Sequence, residues 1–137
     1  MNETFITLSI NKFLNENNYE VIQCIPPGGQ GGIYYLVKDK MIYPDIICLK
    51  SKILYIGENK SLFNETDEKK LVDLSKEHNL FKNSQKIVDN FIKSKNKSFE
   101  KIEEIKFFLG FSSHSKKQSN IHINFLVEDN GKVLLKN

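Results

Sequence analysis

The sequence predicts an α+β fold: a small, mostly antiparallel sheet, two to three helices inserted in the middle, and a C-terminal β-hairpin. Three observations predict it. From Tyr19 to Gly57, short runs rich in β-branched and aromatic residues are broken by Gly and Pro. From Asp67 the apolar period changes to that of a helix. Beyond Ile105 the strand pattern returns and ends in an Asn-Gly turn. At 137 residues the chain suits one domain, 1–137, long enough to bury a true core. It is too short for a whole protein kinase or a doubly wound dehydrogenase.

Ile10, Phe13 and Leu14 lie at i, i+3 and i+4, which predicts a short helix over Ser9 to Asn18. Tyr19 to Ile25 reads as a strand. Pro26 to Gly32 (P-P-G-G-Q-G-G) is a loop, and Ile33 to Lys38 a second strand. Asp39-Lys40 turns the chain and Tyr43-Pro44-Asp45 breaks it again. Ile46 to Leu49 and Ile53 to Gly57 are short strands. Leu71, Leu74 and His78 mark one face of a helix over Asp67 to Asn79, capped by Asn64 or Thr66, with Asp67 and Glu68 at its positive end. A second helix starts at Ser84, with Ile87, Val88, Phe91 and Ile92 on one side. A third starts at Ser98, carrying Phe99 and Ile102. Ile105 to Phe111 and Asn120 to Val127 read as strands. Glu128 to Gly131 is the hairpin turn before a last strand over Lys132 to Leu135.

All 20 basic residues are Lys, and Ala and Trp are also absent. An AT-rich genome accounts for such a bias. Its physical consequence is that every task suited to a planar, bidentate cation falls to Lys or goes undone. A net charge of +3 over mixed signs is a solvated surface rather than a nucleic-acid footprint. Cys24 and Cys48 sit in apolar runs without metal-ligand spacing. They read as buried thiols, with a disulfide between neighbouring strands as the alternative. His78, His114 and His122 form no zinc pattern. No leader-like start and no membrane-length apolar run occurs, so a cytoplasmic location without membrane contact is expected.

Gly32-Ile33-Tyr34 and Tyr55-Ile56-Gly57, the latter followed by Lys60-Ser61-Leu62, together resemble the GIY-YIG nuclease family over a core of about 25–112. The resemblance implies two tyrosines converging from neighbouring strands and Mg²⁺- or Mn²⁺-assisted phosphodiester hydrolysis of DNA. It places Tyr34 and Tyr55 as catalytic tyrosines and His78 on the following helix. With no Arg in the chain, the phosphate clamp of the family passes to Lys70, or to Lys69 or Lys76 beside it. Its metal-binding Glu has no counterpart at the expected place, leaving the metal ligand unassigned. An inactive relative is the variant of this reading.

A second resemblance overlaps the first. Tyr19 to Lys50 is similar to the first strands of a protein kinase N-lobe. There Gly28, Gly29 and Gly31 would cradle ATP phosphates, and Lys50 would pair with Glu68 or Glu77. The plainer reading of that loop is a flexible connection. A third class is a small interaction or inhibitor protein of the kind mobile elements encode, with a protein partner instead of DNA.

Overall fold

The computed structural model describes residues 1–29 and 31–137. Gln30, in the expected Gly-rich loop, lies outside the described residues. Among those described, three helices and eight strands follow the order α1 (Glu3–Glu16), β1 (Glu20–Cys24), β2 (Tyr35–Val37), β3 (Lys40–Ile42), β4 (Ile46–Lys50), β5 (Ile53–Asn59), α2 (Glu65–Ser75), α3 (Leu80–Ser94), β6 (Glu104–Ser112), β7 (Ile123–Val127) and β8 (Val133–Lys136).

Six strands form one sheet in the order β1-β4-β5-β6-β7-β8; β2 and β3 pair apart as a two-stranded sheet. β1–β4, β4–β5 and β7–β8 are antiparallel. β5–β6 and β6–β7 are parallel, because the α2–α3 segment and the Ser113–His122 segment return the chain to the starting end. The α+β expectation holds, including the C-terminal hairpin at Asn130-Gly131, where Gly131 has φ 87°.

Strand alternation divides the core between the two faces. On one, Ile46, Cys48, Phe108 and Phe125 pack against Ile6, Ile10 and Leu14 of α1. On the other, Ile47, Leu49, Leu54 and Ile56 meet Leu71 and Leu74 of α2 and Val88 and Ile92 of α3. The β2–β3 hairpin closes this second layer with Tyr35 and Val37, and the Tyr35 hydroxyl lies 2.7 Å from Ser84 Oγ. Gly57 faces Phe108 across the parallel pair, and a Cβ there would stand 2.1 Å from the ring.

Several expectations need correction. The first helix begins at Glu3, because the Asn2 side chain accepts from the Phe5 N–H (2.8 Å) and caps it. α2 stops at Ser75, so His78 lies in the exposed link to α3 rather than on a helix face. α3 starts at Leu80, a turn before Ser84. No helix starts at Ser98. That segment has no regular secondary structure, Phe99 is exposed to solvent, and Ile102 is held by its N–H donating to Gln85 Oε1 (2.9 Å). The cysteines are the free thiols expected rather than a disulfide, Cys48 buried and Cys24 only half-buried. No helix among the described residues is long and apolar enough to cross a membrane.

Candidate functional site

Tyr34 and Tyr55 do not converge. Tyr34 precedes β2 in the small sheet and stacks at 5.6 Å, tilted, on Tyr43. Tyr55 lies in the middle of β5 on the α1 face, edge-on to Tyr19 at 5.3 Å. Burial pushes the Tyr55 phenol above its ordinary value, the reverse of what a proton-accepting tyrosine needs. The second tripeptide therefore lies in the large sheet and the first in the irregular segment leading into the small one, and His78 stands apart in its link.

The kinase-like constellation does not assemble either. β1 and β2, which flank Gly28, Gly29 and Gly31, are not paired with each other. The Lys50 ammonium lies 4.6 Å from the centre of the Tyr19 ring, a cation–π contact on the far side from α2. Among the described residues it makes no ion pair with Glu68 or Glu77. Glu68 instead accepts from Ser119 Oγ (2.6 Å).

A different group of residues does come together, at the carboxyl end of β5. The β4–β5 register pairs Ile46 with Gly57 and carries on to place Asp45 beside Glu58. Asp45 is fixed by its surroundings. Its carbonyl accepts from the Ile25 N–H (2.8 Å), and its Oδ2 accepts from the Asn59 N–H (2.8 Å). The Gln23 side chain donates to the Pro44 carbonyl (2.9 Å), just before it. Glu58 is 4% exposed and meets two groups, the Asp45 carboxylate and the Lys70 ammonium. Burial first, then the Asp45 charge and hydrogen bond, push its carboxyl up to about 8, against the pull of Lys70.

The next residues extend the group. Asn59 is fully buried, and its Oδ1 has no hydrogen-bond partner. Lys60 reaches Glu3 of α1 at 3.9 Å. Asp67, in the first turn of α2, is 8% exposed with Oδ2 unpartnered, and burial raises its carboxyl although Lys60 and Lys70 pull it down. Glu58, Lys60, Asn64 and Asp67 line a narrow crevice against Gly110. Behind it, on the α1 face, Gly110 leaves room for Ile10 and Asn59: a Cβ would come within 2.2 Å of Ile10 Cδ1 and 2.4 Å of Asn59 Oδ1. Four carboxyls (Glu3, Asp45, Glu58, Asp67) thus share a site with two ammoniums (Lys60, Lys70).

Of the residues expected to be catalytic or cofactor-binding, Lys70 alone belongs to this site, as the partner of Glu58. Asp45, Glu58, Lys60 and Asp67 were missed as functional residues. The available signal was a Pro-Asp entering one strand and a Glu-x-Lys leaving the next, joined by the tight Ser51-Lys52 turn. Among the described residues no three His, Cys, Asp or Glu side chains converge in a ready-made metal cage. Mg²⁺ does not need one, since it is bound by one or two carboxylates with waters and substrate phosphate. Asp45 and Glu58 are such a pair. No family model, curated protein or solved structure matches the chain.

Proposed function

We propose that this protein is a metal-dependent phosphodiesterase acting on nucleic acid, with Asp45 and Glu58 as the Mg²⁺ or Mn²⁺ ligands. The observation that supports it most is the Asp45–Glu58 carboxyl pair at a strand end, Glu58 buried and Asp45 half-buried, with Lys60 two residues further on. The reaction class is the one the GIY-YIG resemblance implies; the residues in support are others.

A bound cation would polarise the phosphate and lower the pKa of a coordinated water. The chain's own groups do the rest. Asp45 is held by Ile25 and Asn59 backbone bonds and needs no reorganisation to accept the ion. Glu58 would hold the ion as a carboxylate, and so would have to lose its proton to ligate. Lys60 supplies fixed positive charge for the phosphorane-like transition state, as a point charge rather than a bidentate fork. Lys70, which meets Glu58, would keep a second positive charge beside the metal ligands.

Supercoiled plasmid incubated with Mg²⁺ or Mn²⁺ tests this. Conversion to nicked or linear DNA is expected, with at least a hundredfold loss in Glu58→Gln and in Lys60→Ala. No conversion with either metal, or equal conversion by Glu58→Gln, overturns the proposal.

A further inference from the structure

A cleft of about 400 Å³ lies between the β2–β3 hairpin and α2. Register decides which hairpin side chains face it. Val37 pairs with Lys40 and Tyr35 with Ile42, and cross-strand partners share a face. Val37, Lys40 and Ile42 therefore line the cleft together, with Lys38 beside them at the turn. Lys38 sits at φ 51° in that two-residue turn, so the hairpin itself sets its place. The helix wall is one row of α2: Thr66, Lys69, Lys70 and Asp73, at i, i+3, i+4 and i+7.

Charge is sorted around α2. The acids of its first turn look elsewhere: Glu65 to Lys117 at 3.3 Å, Glu68 to Ser119, and Asp67 into the crevice beside Glu58. The cleft is left with four lysines against the one carboxylate of Asp73. Lys69 meets Asp73 at 2.9 Å, and Lys70 meets Glu58. Among the described residues Lys38 and Lys40 make no ion pair. The Lys69 hydrogen bond first, and the charges of Lys69, Lys38 and Lys76 after it, hold the Asp73 carboxyl below its ordinary value. The charge of the hairpin wall is thus felt on the helix wall.

These features select a ligand class. An anion between the walls would meet Lys38 and Lys40 on one side. On the other it would meet the Thr66 hydroxyl and Lys69, whose ammonium has donors beyond the one given to Asp73. The floor is apolar: Val37 is buried and Ile42 half-buried, flanked by lysine methylene stems. The volume is that of a small-molecule site, more than a bare phosphate fills.

We propose that the cleft between the β2–β3 hairpin and α2 binds a small organic phosphate of mononucleotide size, with its phosphate on Lys38, Lys40, Lys69 and Thr66 and its ring on Val37 and Ile42. Asp45, Glu58 and Lys60 do not line this cleft, so the proposal stands apart from the metal reading.

Isothermal titration calorimetry in EDTA tests it, with AMP, adenosine and inorganic phosphate as probes. AMP is expected to bind once per chain, at least tenfold more tightly than either of the others. Lys38→Gln/Lys40→Gln is expected to weaken AMP at least tenfold, since a hydrogen bond to a charged group is worth roughly tenfold or more. Lys12→Gln/Lys132→Gln is the control. It removes the same charge from a second hollow of about 400 Å³, beside α1, and is expected to leave AMP affinity within about twofold of wild type. No binding of AMP, adenosine or phosphate binding as tightly as AMP, or equal losses in the two lysine pairs overturns the inference. Because no metal is present, none of these outcomes depends on the phosphodiesterase reading.

Discussion

Glu58 sits where two demands conflict. Burial and the neighbouring Asp45 favour its proton, whereas Lys70 favours its charge. The balance pushes its carboxyl up to about 8, so it holds its proton far more tightly than a free glutamate does. Cation binding must expel it. Calorimetric titration of Mg²⁺ at pH 7 in two buffers of different ionisation enthalpy should therefore show release of about one proton per ion. Glu58→Gln should abolish that release. By the same linkage, affinity for Mg²⁺ should rise as pH approaches 8. Gly57 and Gly110 serve the site from behind. Gly57→Ala would force a methyl into the Phe108 ring and should cost about 1–3 kcal/mol or more, read by urea denaturation.

The β4–β5 hairpin does most of the positioning. Its strands were legible in the sequence because Ile46 to Leu49 and Ile53 to Gly57 are short apolar runs bounded by turns. Its function was not, because Asp45 reads as part of a chain break and Glu58 as the end of a strand. Only the register through Ser51-Lys52 sets the two side by side. The tyrosine tripeptides were legible as words but not as neighbours: the chain between Ile33 and Ile42 folds off as its own hairpin. The expected helix at Ser98 failed for a packing reason. Phe99 and Ile102 lie three apart, but no surface opposes Phe99, so a helix there would have no face to bury. On α1 the apolar stripe does meet the sheet. Ile10 is fully buried there, and Ile10→Ala should destabilise by about 2–5 kcal/mol in the same denaturation assay.

At the scale of the whole molecule, one sheet with α1 on one face and α2, α3 and the small hairpin on the other brings the carboxyl end of β5 to the edge of both layers. The α+β class was readable from pattern alone. The two parallel pairs were not, since parallel order depends on where long connections return the chain. The site also ties stability to pH. Glu58 is raised from about 4.5 unfolded to about 8 folded, so its contribution to stability is full below the unfolded value and is lost as pH rises through about 8. The melting temperature in EDTA should fall across that window, and Glu58→Gln should flatten the fall. Mn²⁺ binding followed by electron paramagnetic resonance at pH 8 tests the central claim most directly. One bound ion per wild-type chain is predicted, lost in Asp45→Asn and in Glu58→Gln but kept in Tyr55→Phe. A wild-type chain that binds no Mn²⁺, or an Asp45→Asn chain that binds it as tightly as wild type, would contradict the account.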